Sequence, residues 1–289
     1  MQLRVADQQY VNLSDLGTRD KPHDSDCAEL SLVVAGRPTP ARFALKSAHE
    51  DTEHARQSFK NEKQALQLCG SSPFVPSLLR SDERNLCLVQ ELASFDLSRI
   101  ATGGLPLSWV RWVSASMVLA LEHVHAQRIV HLDIKMDNIL LSHDGRPLLA
   151  DFGCSLHLPT LDSRVALPSF RGTPRFGAPE MLEELEDGSW RHVAGRAADL
   201  WALGVTIYRS MFGVFPDSHA TAGSGAEADD LLVRMQTASK AVRFLDFRQF
   251  GDCFMADCGL FGPQVREPLQ EPPNLQVGLH AILTNVLVF

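Results

Sequence analysis

The residues with the clearest chemical potential in this chain lie in the segment 131–153, HLDIKMDNILLSHDGRPLLADFG. Two carboxylates in it, Asp133 and Asp151, are separated by apolar runs at 139–141 and 148–150 with a polar turn between the runs. Apolar runs that flank a short turn containing glycine predict a β-hairpin. A hairpin returns its two ends to one place, so we expect the two carboxylates to lie close together.

Lys135 and Asn138 follow Asp133 closely and would stand beside it at the entrance of this hairpin, with Asp151 at the exit. The segment would then bring two anionic oxygens, an amide oxygen and an ammonium group into one pocket. Mg²⁺ binds hard oxygen ligands, and a lysine offsets negative charge that develops on a phosphoryl group. These residue types at this spacing therefore predict a site for phosphoryl transfer.

Two further motifs follow the D-F-G at 151–153, namely GTPRFGAPE at 172–180 and DLWALG at 199–204. With H-x-D-x-K-x-x-N they make four ordered motifs that resemble the core of eukaryotic protein kinases. The resemblance implies an α+β, bilobal fold, with a small antiparallel β lobe that carries one helix and a larger, mainly α-helical lobe. ATP and Mg²⁺ would bind between the lobes, and the substrate would be a protein.

The resemblance assigns a role to each residue of the central segment. Asp133 would orient or deprotonate the substrate hydroxyl, and Lys135 would neutralise the γ-phosphoryl group. Asn138 and Asp151 would hold the metal ion. Lys135 together with Thr173 is typical of serine/threonine kinases rather than tyrosine kinases, which usually carry A-A-R in place of K-x-x before the asparagine.

The same resemblance identifies residues upstream that would bind ATP. In the strand-like segment ARFALKS, Lys46 matches the lysine that contacts the α and β phosphates, and Ala44 matches the small residue over adenine. Apolar residues at helical spacing predict a helix at 54–69, and its Glu62 is the expected partner of Lys46. Glu53 is an alternative partner, although a carboxylate at a helix start is better suited to a macrodipole or capping role.

Residues 88–93, LVQELA, resemble the hinge that joins the two lobes and offers backbone groups to adenine. We therefore assign Glu91 and Ala93 to the ATP site, together with Leu140 from the hairpin. Gln90 would guard the back of this pocket. By resemblance, 28–93 forms the small lobe and hinge.

The remaining residues fall on either side of that lobe. Residues 94–289 would form the large lobe, which ends before the last motif of the family and so looks truncated, whereas residues 1–27 match the family poorly. An apolar stripe predicts a helix at 105–127, capped by Ser108 and with Trp109 in the core. The polar segment 154–171 suits a mobile loop, and the acidic stretch 183–187 a solvated insertion.

Two departures from the family pattern bear on function. The expected phosphate lid at 16–26 has one glycine, Gly17, in place of G-x-G-x-x-G. ATP would then bind weakly, or another loop would cover it, or the start of the chain is incomplete. In the family, an arginine at the position of Leu132 usually binds a phosphate on the loop that follows the D-F-G. Because Leu132 replaces it, we expect the site to align without phosphorylation of Ser163 or Ser169.

The composition of the chain bears on its partners and its compartment. A net charge of −8 argues against nucleic acid or an anionic membrane as partner, and no stretch is long and apolar enough to span a bilayer. We expect a soluble chain with free thiols, although Cys253 and Cys258 could pair or bind metal. A faint likeness to the secreted rhoptry kinases of apicomplexan parasites leaves the compartment open.

The sequence allows two other functions besides protein phosphorylation. A pseudokinase, which binds nucleotide or partners without catalysis, is favoured by the missing lid and opposed by the complete set of Lys46, Asp133, Asn138 and Asp151. Phosphorylation of a small molecule is the second alternative. The segment 172–180 opposes it because that segment resembles a peptide-docking device.

Overall fold

A computed structural model of the chain describes most of its first 215 residues. The described residues are 2–5, 8–15, 28–35, 41–48, 50–101, 103–187 and 189–215. The expected lid at 16–26, the pair Cys253 and Cys258, and the expected truncation at the end of the large lobe all lie outside these ranges. The proposed boundaries of the two lobes stay predictions.

The first part of the chain forms one antiparallel sheet with a helix packed against it. Its strands are β1 (Gln2–Val5), β2 (Gln8–Asp15), β3 (Ala28–Ala35), β4 (Ala41–Ala48), β5 (Leu78–Asp82) and β6 (Cys87–Glu91). Their spatial order is β1-β2-β3-β4-β6-β5. Strand β4 alternates as the sequence predicts, since Leu45 is buried on one face while Lys46 belongs to the other. The strand β1 was not predicted.

Helix α1 (Glu53–Cys69) connects β4 to β5 and begins one residue before the predicted start. The backbone N–H of Ala55 donates to Oγ1 of Thr52, which caps the helix, and the chain leaves it at Gly70 with a φ of 57°. Glu53 lies in the exposed first turn, where its charge suits the macrodipole. The buried face of α1 consists of Ala55, Phe59, Glu62, Ala65, Leu66 and Cys69.

The second part of the described chain alternates short strands with two long helices. In order these are β7 (Ala93–Asp96), α2 (Leu107–Ala126), β8 (Ile129–Val130), β9 (Ile139–Ser142), β10 (Pro147–Leu149), β11 (Leu156–His157), β12 (Val165–Leu167), β13 (Leu182–Glu184), β14 (Trp190–Ala194) and α3 (Ala197–Phe212). The predicted hairpin is confirmed, because β9 and β10 pair antiparallel around a turn at Gly145. Strand β7 joins them on the other side of β9.

Two predictions on helix α2 are wrong. Ser108 does not cap it, because the helix begins at Leu107 after Pro106 and Ser108 already lies inside the first turn. Trp109 is not in the core, since 40% of it is exposed and its ring meets the edge of the equally exposed Trp112. The buried face is centred on Val110, Met117 and Val124, so that Trp109 lies on its flank.

The segment after the D-F-G contains strands where the sequence predicts only loop. Strand β11 pairs with β8, and β12 pairs with β14 in a three-stranded sheet of order β12-β14-β13. The acidic stretch 183–187 runs from β13 into the turn before β14, so the expected insertion is a β-hairpin whose tip is solvated. This hairpin supplies a strand edge that the residues following the D-F-G can extend.

The main core joins α1, α2, α3 and the hairpin of β9 and β10, which lies between Asp133 and Asp151 in the chain. Its members include Leu66 of α1, Met117 and Leu121 of α2, Phe152 of the D-F-G, and Leu203 of α3. The ring of Phe152 lies 4.7 Å from that of His131, measured between centroids. The segment 131–153 therefore packs against the same apolar cluster that joins the helices.

Replacing Leu121 with alanine should lower the free energy of unfolding by about 3 kcal/mol, because the side chain is 1% exposed and its loss leaves a cavity. Leu68→Ala on α1 is the matched control. That leucine is 41% exposed, so its loss should change the value by no more than about 0.5 kcal/mol. Urea unfolding followed by circular dichroism measures both, and equal losses would contradict the assignment of this core.

Candidate active site

Lys46 of β4 lies between two carboxylates from distant parts of the chain. Its Nζ donates to Oε2 of Glu62 at 2.7 Å and to Oδ1 of Asp151 at 2.8 Å. The side chains of Lys46 and Glu62 are 18% and 3% exposed. One buried ammonium group thus joins the sheet, helix α1 and the D-F-G segment.

The electrostatics of this group keep Lys46 protonated. Burial by itself lowers the pKa of Lys46, but the charges and hydrogen bonds of Asp151 and Glu62 more than offset this, so the net pKa is raised. The second oxygen of Glu62, Oε1, accepts a hydrogen bond from Nε2 of Gln90 at 2.9 Å. Both oxygens of this buried carboxylate therefore have donors, as a buried charge requires.

Asp133 lies in a second network with Lys135, Asn138 and Thr173. Its Oδ1 accepts from the backbone N–H of Thr173 at 2.9 Å and from the Thr173 hydroxyl at 2.7 Å. Its Oδ2 accepts from Nδ2 of Asn138 at 2.9 Å and lies 3.0 Å from Nζ of Lys135. Lys135 in turn donates to the Thr173 hydroxyl at 2.7 Å. The orientation of Asp133 is thus fixed from both sides.

Thr173 is a site residue that sequence reasoning missed. The sequence marked it only as a sign of serine/threonine specificity, although it lies in the motif G-T-P. Gly172 before it has a φ of +91°, and a Cβ there would overlap the carbonyl oxygen of Leu132. Gly172 allows the Thr173 segment to approach the Asp133 loop closely. This glycine was therefore the feature of the sequence that could have indicated Thr173 as a site residue.

The loop that carries Asp133 is held by a buried carboxylate of α3. The backbone N–H groups of His131 and Leu132 donate to Asp199, each at 2.8 Å, and Asp199 is fully buried. A ring nitrogen of His125 lies 2.8 Å from the same carboxylate. Leu132 has a φ of 67°, which is unfavourable for a leucine, so these hydrogen bonds stabilise a strained backbone.

The two residues predicted to hold Mg²⁺ carry oxygen atoms of the right kind. Asp151 has a φ of 66°, and its carboxylate stays 29% exposed beside Lys46. The amide nitrogen of Asn138 faces Asp133, so its oxygen is the atom suited to a cation. The described residues hold no group of three or more His, Cys, Asp or Glu side chains that could bind a metal alone. This donor set fits Mg²⁺ that is shared with phosphate oxygens.

The four residues assigned to adenine lie on adjoining strands. Ala44 of β4 is opposite Gln90 of β6, and Ala93 of β7 is opposite Ser142 of β9, the strand that carries Leu140. The carboxylate of Glu91 turns away to Arg146, at 3.2 Å, and to the backbone N–H of Ser77, at 3.4 Å. A contact from Glu91 to adenine would therefore use its backbone. The adenine assignments stay predictions.

A cavity of about 370 Å³ opens between α1, the end of β4 and the D-F-G segment. It brings together most of the charged residues described above, namely Lys46, Glu62, Asp133, Lys135 and Asp151. Cys154 also lines it, and burial together with the charges of Asp133 and Asp151 raises the pKa of that thiol to about 12. The cysteine is therefore protonated near neutral pH, and the available chemistry is that of the carboxylates and ammonium groups.

A lysine is shared by two carboxylates, and a third carboxylate is oriented by a threonine, which is the arrangement expected of a phosphoryl-transfer site. The family model described as "Protein kinase domain" matches residues 31–249. The chain therefore belongs to the protein kinase family, as predicted. The α+β, bilobal kinase fold is confirmed with it, whereas the likeness to rhoptry kinases stays a prediction.

Several curated proteins are similar to this chain. Human serine/threonine-protein kinase MRCK gamma is 36% identical over 195 residues, which are 64% of this chain and 12% of that protein. Serine/threonine-protein kinase mrck-1 of Caenorhabditis elegans is 39% identical over 192 residues, 64% of this chain and 12% of that protein. Mitogen-activated protein kinase kinase kinase 20 of Arabidopsis thaliana is 30% identical over 240 residues, 78% of this chain and 66% of that protein.

The chain spans about an eighth of the length of the MRCK relatives, so those proteins extend far beyond the matched domain. Within the described residues of the chain, no helix is long and apolar enough to cross a membrane.

Replacing Gly172 with alanine should lower activity by at least about tenfold, because the added Cβ displaces Thr173 from Asp133. Gly103→Ala is the matched control, since Gly103 has the same φ of +91° but nothing within 4 Å of the added atom. Steady-state kinetics of phosphate transfer, with circular dichroism as a check on folding, measures the difference. Equal losses in both variants would show that backbone strain alone is responsible.

Proposed function

We propose that this chain is an ATP-dependent protein serine/threonine kinase, which transfers the γ-phosphoryl group of ATP to a protein hydroxyl. The observation that carries the proposal is the pair of networks in which Lys46 joins Glu62 to Asp151 and Thr173 orients Asp133. The human and Caenorhabditis elegans relatives are named serine/threonine-protein kinases, which favours catalysis over the pseudokinase alternative. An inactive binding module has no physical need for both networks.

In this proposal Asp133 receives the hydroxyl of the substrate and accepts its proton during transfer. Thr173 and Asn138 hold the carboxylate by its two oxygens, so that it needs no reorientation when the substrate arrives. Lys135 lies beside it and stabilises negative charge on the transferred group. Asp133 and Lys135 are therefore the proposed catalytic residues.

Lys46, held by Glu62, would contact the α and β phosphates of ATP. Mg²⁺ would supply positive charge that neutralises the phosphate oxygens. Asp151 and Asn138 are the residues that would hold this ion, in agreement with the oxygen atoms described above. Ala44, Glu91, Ala93 and Leu140 are proposed to surround the adenine.

A protein substrate is favoured over a small molecule by the segment that carries Thr173. The hydroxyl of Thr173 contacts both catalytic residues, and the same segment continues into two short turns at Pro174–Phe176 and Pro179–Met181. A polypeptide that docks along this segment would present its hydroxyl directly to Asp133.

Asp133→Ala and Asp151→Ala should each lower phosphate transfer by about a thousandfold, because positioning and charge supply most of the catalysis. The measurement is transfer from γ-labelled ATP, with Mg²⁺, to a generic protein substrate and to the chain itself. Glu186→Ala, which removes an exposed carboxylate from the hairpin tip, is the control and should match the wild type.

Thermal melting with and without ATP separates the rival functions. A wild-type chain that transfers no phosphate but melts at a higher temperature with ATP would be a pseudokinase. Transfer that survives in Asp133→Ala would contradict the proposed mechanism. Unchanged melting temperatures of the variants, without nucleotide, would show that the losses are not caused by unfolding.

We also propose that packing, rather than a phosphate, holds the segment between the D-F-G and Thr173. Leu132, in the place of the phosphate-reading arginine, belongs to a buried cluster with Leu158, Leu167, Met181 and Ala194. Strand β12 is further held by its pairing with β14, in which Ala166 lies opposite Val193. An apolar side chain at 132 cannot bind a phosphate, but it can bury this cluster.

The double variant Ser163→Ala, Ser169→Ala should keep activity within about twofold of the wild type, because no phosphate is needed to order the segment. Leu167→Ala, which removes packing from the cluster, should lower activity by at least about fivefold. Leu161→Ala is its control, since Leu161 lies in the same segment but is 42% exposed. Steady-state kinetics decides, and a strong loss in the serine variant would contradict the proposal.

A further inference from the structure

Helix α1 has a second attachment to the D-F-G segment, separate from the lysine ion pairs. Nδ2 of Asn61 donates to the backbone carbonyl oxygen of Gly153 at 3.0 Å. One turn earlier on the helix, Nε2 of Gln57 donates to Oδ1 of Asn61 at 2.8 Å. The three residues form a chain of hydrogen bonds from the helix surface to the last residue of the D-F-G.

The direction of these hydrogen bonds is fixed by their chemistry. A backbone carbonyl oxygen only accepts, so the nitrogen of the Asn61 amide must face Gly153 and the oxygen must face Gln57. Gln57 therefore holds the Asn61 amide in the orientation that contacts the D-F-G. An i to i+4 pair of this kind lies on one face of a helix.

The approach of α1 to Gly153 is close. A Cβ at Gly153 would overlap the hydroxyl oxygen of Ser58, which is the residue one turn before Glu62. A side chain at Gly153 would therefore require the Ser58 hydroxyl to move, which shows how closely the helix surface around Asn61 approaches the D-F-G.

Asn61 and Glu62 are adjacent, and each is linked to one end of the same three-residue segment. Glu62 reaches Asp151 through Lys46, and Asn61 reaches Gly153 directly. We propose that Asn61, oriented by Gln57, is a positioning residue that keeps α1 docked on the D-F-G and so keeps Lys46, Glu62 and Asp151 aligned. The inference rests on the proposed kinase function and deepens it.

The Asn61 attachment differs from the ion pairs in what happens when substrate binds. Lys46 and Asp151 are the groups proposed to contact phosphate and metal, so their mutual contact must be shared with the nucleotide. The amide of Asn61 and the carbonyl of Gly153 are neutral, and neither is proposed to touch phosphate or Mg²⁺. Their hydrogen bond can therefore hold α1 in place at every stage of the reaction.

The test uses Asn61→Leu, which keeps a similar volume without the donor, and Asn61→Asp, which keeps an oxygen facing Gln57, removes the donor and adds a negative charge that the Gly153 carbonyl oxygen repels. Hydrogen exchange of the α1 amides is measured first, without nucleotide. Loss of one hydrogen bond should speed exchange in this helix by about fivefold in both variants. Gln64→Leu is the matched control, since Gln64 is an exposed amide on the same helix, and it should exchange like the wild type.

Kinetics then tests the positioning role. In both Asn61 variants kcat should fall by about threefold to fivefold while KM for the protein substrate stays unchanged, because only the fraction of molecules with α1 docked can react. Unchanged exchange in α1, unchanged kcat, or faster exchange spread over α2 and α3 as well would overturn the inference. A wild-type chain that transfers no phosphate would instead overturn the proposed function. That result needs no variant, so it is distinguished from a failure of the Asn61 inference.

Discussion

The charge of Lys46 is the interaction on which the rest of the site depends. Glu62 lies 16 residues after it and Asp151 lies 105 residues after it, so one ammonium group joins the sheet, helix α1 and the D-F-G. Without it the carboxylates of Glu62 and Asp151 would lose the cation they share and would repel each other. The same two carboxylates raise the pKa of Lys46, which keeps the lysine charged. The sheet, helix α1 and the D-F-G segment are thus held together because Lys46 offsets the negative charges of Glu62 and Asp151.

Around this charge, hydrogen bonds to backbone groups hold a strained backbone. Leu132 and Asp151 both have positive φ values, which cost free energy in residues other than glycine. Asp199 stabilises the first through two backbone N–H groups, and the second belongs to the segment that Asn61 contacts at Gly153. The strain is found where Asp133 and Asp151 must face one cavity. Stability of the fold and geometry of the site are therefore coupled, and large core side chains such as Phe152 serve both.

The segment after the D-F-G shows how one substitution changes the type of interaction that holds a loop. Leu132 packs into an apolar cluster with Leu158 and Leu167, where an arginine would need an anion. The hairpin of β13 and β14 adds backbone hydrogen bonds to β12. Apolar burial and strand pairing do not depend on a modification, which is the basis of our proposal that this segment is ordered without a phosphate. An arginine at position 132 would instead hold the segment only when a phosphate is present.

The sequence by itself determined the residue types and spacing of the proposed site, together with part of the local structure. The types and spacing of Asp133, Lys135, Asn138 and Asp151 predicted the phosphoryl-transfer site, and the hairpin between them formed as expected because its pairing is local. The sequence left Glu53 and Glu62 as partners for Lys46. Only the tertiary structure decided, since Glu53 lies in the exposed first turn of α1 and Glu62 is buried against the sheet. Thr173 at Asp133, Asn61 at Gly153 and the pairing of β12 with β14 likewise join residues far apart in the chain. Such contacts are set by how the elements pack, which periodicity and motif spacing do not encode.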